Sequence, residues 1–179
     1  MTYIIIAVVV FFYLWSTYNR CIVGRNQVQE DYSDIDIQLK RRSELIDQLA
    51  SIVKGYAKHE KELFENVTKA RSEAMRAKGP AEAGKAENML TDTLKSLFAV
   101  AENYPQLQAS ENFQKLQDEL TDTENKVEAA RRFYNGNVRD FNTKIQIFPN
   151  SMVAGMVSAK AFELFVAAGG EKETPQVKF

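Results

Sequence analysis

Apolar side chains recur along the first half of the chain at intervals that alternate between four and three residues. From residue 28 onward this series fills the a and d positions of a heptad, and it is apolar apart from Arg42 and Glu60. Because this period is that of a left-handed coiled coil, it predicts one long helix over residues 26–78. We call the first eight positions the seam: Val28, Tyr32, Ile35, Leu39, Arg42, Ile46, Leu49 and Val53.

Three further helices are predicted by apolar periodicity and by the positions of proline. Gly79-Pro80 ends the first helix and begins the second, because proline is tolerated in the first turn of a helix and breaks its interior. Pro105 ends the second helix and Pro149 ends the third. The predicted ranges are residues 81–104, 110–148 and 152–168, followed by a charged tail over residues 169–179.

The second predicted helix is too short to cover the seam. It has about half the length of the apolar stripe on the first helix, so that, folded back through the turn, it reaches only to about Lys54. The third or fourth helix is one candidate for covering the remainder. A neighbouring copy of the chain is at least as good a candidate, because exposed a and d positions commonly bring helices together. On this ground we expect a homo-oligomer.

The N-terminus carries an uncharged apolar run that cannot remain in water. The run is short against the roughly 20 residues that cross about 30 Å of hydrocarbon, but its aromatic ends, Tyr3 and Trp15, suit the two membrane interfaces. We predict an anchor over residues 1–19, joined to the bundle of residues 20–168 either directly or through a bend at Gly24. The predicted transmembrane residues are Tyr3, Ile4, Ile5, Ile6, Val8, Val9, Val10, Phe11, Phe12, Leu14 and Trp15. The predicted fold class is therefore all-α, with an N-terminal transmembrane helix continuing into a long antiparallel coiled-coil bundle of three to four helices.

A secretory signal is the alternative interpretation of this run. It is disfavoured because no Lys or Arg precedes the run and no small-residue cleavage site follows it. Arg20 and Arg25 are the first charged residues after the run. The positive-inside rule therefore predicts a single-pass protein of the cell membrane with its bundle on the cytoplasmic side.

Charge and reactive residues argue against several function classes. The chain has 23 Lys and Arg against 24 Asp and Glu, and this net charge of -1 offers no field to attract nucleic acid. It has one cysteine, Cys21, and one histidine, His59, which excludes an internal disulfide and a multi-histidine metal site. The sequence His59-Glu60 lacks the second histidine of a zinc-protease motif, because position 62 is Glu62. We expect no catalytic residue, no cofactor and no metal.

Two polar features allow both a functional and a structural interpretation. Arg42, on the seam, either contacts a partner or a lipid headgroup, or pairs with a carboxylate across the bundle and fixes its register. We favour the pairing, because polar residues at a and d positions commonly have this role. A second group could form a binding patch, although such side chains more often cap or bridge helices: Tyr134, Asn135, Asn137, Arg139 and Asn142.

Several motifs occur in a fixed order along the chain. They are IDIQLKRRSELI at residues 35–46, VKGYAKHE at 53–60, ENYP at 102–105, TENKVEAARRFYNGNVRDFN at 123–142, FP at 148–149 and P-x-V-x-F at 175–179. In these motifs the chain resembles the LemA family over nearly its whole length, although its segment after Pro149 is more apolar than the family's usual pattern. The resemblance implies a single-pass bacterial membrane protein with a long-helix bundle and no assigned catalytic activity. Relatives in magnetosome-forming bacteria are linked to building an internal membrane.

We therefore expect a non-enzymatic, membrane-anchored coiled-coil protein that self-assembles to organise or remodel the bacterial membrane. Its expected partners are other copies of itself and the lipid bilayer, with no nucleic acid. The alternative is a membrane-tethered adaptor that recruits another protein, such as a membrane protease. A second, unidentified protein partner belongs to that alternative.

Overall fold

The computed structural model describes residues 1–165, and within this range it contains six helices and no β-strand. The helices are α1 (Thr2–Tyr56), α2 (Lys61–Arg76), α3 (Gly79–Ala101), α4 (Pro105–Gln108), α5 (Glu111–Gln146) and α6 (Asn150–Met156). The predicted all-α bundle is confirmed. The predicted tail, residues 169–179, and the last part of the predicted fourth helix lie outside the described residues.

Packing divides the chain into two compact units. Unit 1 comprises Met1–Asp34 and Ala130–Leu164. Unit 2 comprises residues 35–129 together with Phe165. Helices α1 and α5 each contribute residues to both units, whereas α2, α3 and α4 belong to unit 2 and α6 belongs to unit 1.

The single helix predicted over residues 26–78 is wrong, because the chain reverses between α1 and α2. Helix α1 ends at Tyr56 and α2 begins at Lys61. An ion pair of 2.9 Å between Arg71 and Asp47 shows that α2 runs back along α1. The heptad spacing continues through the turn because α1 and α2 each bury one face against the same core. An apolar repeat indicates which residues are buried, but it does not show that the backbone is one continuous helix. Of the two glycines that weaken the predicted helix pattern, Gly24 and Gly55, the second lies next to this turn.

The core of unit 2 is an apolar cluster contributed by α1, α2, α3, α4 and α5. Its fully or almost fully buried members are Leu45, Ile46, Leu49, Val53, Ala57, Val67, Ala70, Leu90, Leu97, Ala101, Leu107, Phe113, Leu116 and Leu120. Their spacing of three and four residues within each helix places them on single faces, as an amphipathic helix requires. Unit 2 therefore has an interior closed by its own helices.

The turn at Lys78 and Gly79 explains where α3 begins. Gly79 has a φ of +79°, a left-handed conformation that glycine adopts at little cost, and it is the first residue of α3. The backbone N–H of Lys78 donates to the Glu82 carboxylate at 2.8 Å and satisfies a donor at this helix start. The second predicted helix ends at Ala101 and not at residue 104, and the short α4 precedes α5.

The fourth helix predicted over residues 152–168 is wrong for most of its described part. Helix α6 ends at Met156, and residues 159–165 have no regular structure. The side chain of Asn142 explains the difference, because its amide donates to the carbonyl of Phe162 and its Oδ1 accepts the Phe162 N–H, each at 2.9 Å. The backbone of this segment is thus satisfied by a side chain of α5 instead of by helical hydrogen bonds.

Candidate membrane-contact site

The N-terminal part of α1 is an apolar helix without cover in unit 1. Every side chain from residue 2 to residue 16 is exposed, including Phe11 at 63% and Trp15 at 55%. Within the described residues, α1 is the one helix long and apolar enough to cross a membrane. Helix α1 continues through Gly24 without interruption, up to Tyr56.

Close contacts between α1 and α5 fix the base of this apolar helix. A Cβ added at Gly24 would lie 3.2 Å from the Phe141 ring, so the missing side chain permits a close approach of that ring. About two turns further along α1, the Asp31 carboxylate accepts a hydrogen bond from the side chain of Asn137 at 2.6 Å. These residues hold α5 alongside the segment of α1 that follows the apolar run.

A groove of about 1150 Å³ lies along this junction. Aromatic side chains line it, among them Phe12 and Trp15 at the apolar end of α1. Charged side chains line it too: Arg20 on α1, and Asp140 and Lys144 on α5. An apolar groove with charges at its edge is chemically suited to the boundary between hydrocarbon and lipid headgroups.

Helix α6 adds a second, almost purely apolar groove of about 560 Å³ beside α1. Phe11, Leu14, Trp15 and Tyr18 of α1 line one part, and Val153, Met156 and Val157 line the other. The sequence did not predict that these two segments meet. The one available sign was the absence of charge on both of them.

Tyr134 joins α1, α5 and the segment after α6 in unit 1. Its hydroxyl donates to the carbonyl of Glu163 at 2.8 Å, and its ring lies 5.8 Å from the ring of Tyr32. Burial, followed by the influence of Tyr32 and Glu163, raises the pKa of Tyr134 from 10.0 to about 12. With Asn137 and Asn142, which bridge to Asp31 and Phe162, Tyr134 takes the structural role predicted for this polar group.

Replacement of Tyr134 by phenylalanine should change the alkaline stability of the protein. A phenol whose pKa is raised by folding contributes stability that is complete below pH 10 and is lost as the pH rises toward 12. Tyr134→Phe should therefore lose about 1 kcal/mol at neutral pH, from the missing hydrogen bond, and should unfold with a flatter pH dependence above pH 10. Urea unfolding across this pH range measures both effects. Tyr56→Phe, which removes an exposed hydroxyl, is the control, and equal alkaline slopes in the two variants would contradict the expectation.

The most buried charge in unit 2 is on Arg42, which is 1% exposed. Its guanidinium is 3.3 Å from the carboxylate of Glu87 and 2.5 Å from that of Glu124, and it donates to the hydroxyl of Thr91 at 3.1 Å. The pairing predicted from its seam position is therefore present, between α1, α3 and α5. Because the Arg42 guanidinium and the Glu87 carboxylate are buried and Glu124 closes the cluster from the surface, the site is a structural element that orients the three helices.

The chain itself buries the seam. Val28, Ile35, Arg42, Ile46, Leu49 and Val53 are at most 1% exposed, and Tyr32 and Leu39 are half-buried. The premise that the second predicted helix leaves this stripe uncovered is therefore wrong, and the stripe no longer gives a reason to expect a neighbouring copy. The physical error in that premise was the assumed path of the chain, because the turn after Tyr56 frees α3 and α5 to lie against α1 within unit 2.

The described residues contain no group of three or more metal-ligating side chains. His59 and Glu60 are exposed at the turn before α2. The chemical resources gathered in unit 1 are apolar surface, aromatic rings and a few flanking charges. They are suited to contact with lipid.

Comparison with known proteins places the chain in a family. The LemA family matches residues 31–179. Magnetosome protein MamQ of Magnetospirillum gryphiswaldense is 22% identical over 174 residues, which cover 83% of this chain and 64% of that protein. Magnetosome protein MamQ 2 of Paramagnetospirillum magneticum matches with the same identity and coverage. Protein LemA of Metamycoplasma hominis is 25% identical over 175 residues, covering 95% of this chain and 78% of that protein.

The fold and the site define a class of all-helical protein with one exposed apolar helix able to span a bilayer. The chain belongs to the LemA family, as the match over residues 31–179 shows. It spans 64% of the length of the MamQ proteins, less than two thirds of each.

Proposed function

We propose that the protein is a non-enzymatic, membrane-anchored scaffold whose copies assemble side by side to organise the bilayer. The observation that carries this proposal is the continuous exposure of the apolar side chains in residues 2–16. An apolar helix surface of this extent is strongly disfavoured in water, so it requires a hydrophobic cover. Lipid provides that cover around the whole circumference of a helix.

The flanks of the apolar helix support a single-pass anchor in the cell membrane. Trp15 and Tyr18 stand where the apolar run meets polar residues, as aromatic residues do at a membrane interface. Arg20 and Arg25 follow on the same helix, which favours a cytoplasmic bundle. Phe11 and Trp15 line the groove beside α6. This packing favours an N-terminal segment that is retained, because cleavage of a signal would leave α6 without its neighbour in unit 1.

Self-assembly needs a surface other than the seam. The aromatic rings of Phe11, Phe12 and Trp15 contact one another on α1, with centroids 5.9 to 6.4 Å apart. Such rings can pack against the same rings of a neighbouring anchor within the bilayer, where van der Waals packing drives helix association. The similarity to magnetosome proteins agrees with a role at a specialised membrane.

A membrane-tethered adaptor is the second candidate function. In unit 2 a shallow groove of about 610 Å³ is lined by Lys54, Lys58, Lys61 and Lys69, with Phe64 at its side. The Lys54 ammonium lies 5.9 Å from the centre of the Phe64 ring, and the four lysines outnumber the one acidic residue of the groove, Glu65. Such a surface suits an acidic segment of another protein. The oligomeric state separates the two candidates, because an adaptor has no need to assemble with itself.

Membrane fractionation followed by mass measurement in mild detergent tests the proposal. Wild-type protein should stay in the membrane fraction and, once extracted, should have a mass that is a discrete multiple of 20.4 kDa. A variant with both Val9→Arg and Phe12→Arg should move to the soluble fraction. Each arginine near the centre of a spanning helix costs about 2.5–3.5 kcal/mol of insertion free energy.

The matched control carries Val9→Leu and Phe12→Leu and should remain in the membrane. Equal membrane retention of the arginine and leucine variants would contradict the anchor. A monomeric mass for the wild-type protein would contradict self-assembly and would favour the adaptor.

A further inference from the structure

The chain has a second uncharged segment, which folds beside the first in unit 1. Residues 145–159 contain no charged side chain and lie between two exposed lysines, Lys144 and Lys160. This range includes α6. The segment is short for a membrane span and has no further helix of its own.

Several large apolar side chains of this segment point away from unit 1. They are Ile147 (50% exposed), Phe148 (79%), Met152 (64%) and Met156 (83%). Met152 and Met156 are four residues apart and therefore share one face of α6. Val153 and Ala154 are buried and hold the opposite face of α6 against unit 1. The face of α6 that packs against unit 1 is therefore the one with Val153 and Ala154, and the exposed face is not needed for that packing.

The place of α6 along α1 indicates its depth relative to the apolar helix. The groove beside α6 is lined on α1 by Phe11, Leu14, Trp15 and Tyr18. These residues form the end of the apolar run, with Tyr18 two residues before Arg20. A bilayer that surrounds residues 2–16 therefore has its interface at the level of α6.

We infer that the segment of residues 147–156 is a second membrane contact, lying in the interface of the leaflet that α1 leaves at Trp15. This inference rests on the proposed anchor. Phe148, Met152 and Met156 enter the boundary between headgroups and acyl chains, as the apolar face of an interfacial helix does. Lys144 and Lys160 lie at the two ends of the segment and supply cationic groups for anionic headgroups, their aliphatic stems lying along apolar surface.

The bilayer is the occupant that the surroundings favour. The exposed face of α6 continues the exposed apolar surface of residues 2–16, so lipid that covers one reaches the other. The two lysines that flank this uncharged segment are also complementary in charge to an anionic lipid surface. A two-point contact fixes the tilt and rotation of the anchor, which a lone spanning helix leaves to its neighbours.

Depth-dependent fluorescence quenching tests this placement in the full chain. Cys21→Ser removes the native thiol, and a single cysteine then carries an environment-sensitive NBD probe at position 9, 117 or 152. The vesicles contain phosphatidylcholine and phosphatidylglycerol, with a spin label either near the headgroup or at the end of the acyl chain. We expect the Met152→Cys probe to lose most fluorescence with the headgroup label and the Val9→Cys probe with the chain-end label. The Gln117→Cys probe, exposed on α5 in unit 2, should lose none with either label.

A charge variant ties the quenching to the proposed residues. Phe148→Asp combined with Met156→Asp should abolish lipid quenching at position 152 and leave quenching at position 9 unchanged. Phe133→Asp is the matched control, because Phe133 is also an exposed phenylalanine, 71% exposed, but lies outside the segment. This control should preserve the quenching at position 152.

The other outcomes separate this inference from the proposed anchor. Quenching at position 9 without quenching at position 152 would leave the anchor standing and overturn the second contact. A probe at position 152 that is shielded from water but not quenched by lipid would also overturn it, because protein would then be the cover. A probe at position 9 that no lipid label quenches would overturn the anchor and this inference together.

Discussion

Replacing Arg42 by alanine should destabilise the protein by about 3–5 kcal/mol, the usual loss when one member of a buried ion pair is removed. The reason is the state of Glu87, whose side chain is 4% exposed and would lose its cationic partner. Glu124 is more exposed, at 47%, and can turn to water. Urea unfolding of the full-length protein in mild detergent, followed by circular dichroism, measures the change.

Arg41→Ala is the matched control for this prediction. Arg41 pairs with Glu119 at 2.7 Å, but both side chains are about half exposed, so the loss should stay below about 1 kcal/mol. The double variant Arg42→Met with Glu87→Leu should recover most of the stability, because it removes both buried charges. Equal losses of unfolding free energy in Arg42→Ala and Arg41→Ala would contradict the prediction, because the buried ion pair would then contribute no more than the exposed one.

Replacing Leu49 by alanine should destabilise the protein by about 2–5 kcal/mol through the cavity it leaves. Leu49 has no exposed surface and belongs to the central cluster of unit 2. The same urea titration measures the effect. A charge at this position should therefore unfold unit 2, and a change of oligomeric state in such a variant would report unfolding and not a lost subunit contact.

Gln48→Ala provides the comparison for Leu49→Ala. Gln48 is the preceding residue of α1 and is exposed, so its replacement should change the free energy of unfolding by no more than about 0.5 kcal/mol. Helix propensity changes little between the two alanine variants, which leaves burial as the main difference. A small loss for Leu49→Ala would indicate that this part of α1 is covered less firmly than the structure describes.

The heptad pattern predicted burial well and predicted chain path poorly. Positions such as Ile46 and Val53 are buried as their a and d spacing indicates. The turn at residues 57–60 was missed because a stripe of buried residues has the same period on one long helix and on two helices that pack together. The length argument for an uncovered seam followed from this one error.

The segment after α6 was beyond prediction for a different reason. Its apolar composition suits a helix, but the Asn142 side chain of α5 both donates a hydrogen bond to the backbone of Phe162 and accepts one from it. These hydrogen bonds join residues 20 positions apart and produce no periodic pattern in the sequence. A local sequence pattern does not show that a side chain from a different helix will supply hydrogen bonds in place of the helical ones.

The candidate site was predicted in one of its two parts. The apolar run at the N-terminus is visible from composition alone, because it contains no charge over a length close to a bilayer span. The partnership between this run and α6 joins residues such as Trp15 and Val153, from opposite ends of the described chain. Apart from the absence of charge on both segments, the sequence contains no signal for a contact of that separation.

The division of unit 1 between Met1–Asp34 and Ala130–Leu164 has a consequence for biogenesis. Translation at about 5–20 residues per second leaves roughly 5–20 seconds between these two parts. Residues 35–129 of unit 2 are contiguous and can pack together in that interval. The hydrogen bond between Asp31 and Asn137 spans 106 positions and forms only after the later part has been synthesised. For the proposed anchor, this order means that the N-terminal helix reaches the membrane early, and that its neighbours from α5 and α6 join it only near the end of synthesis.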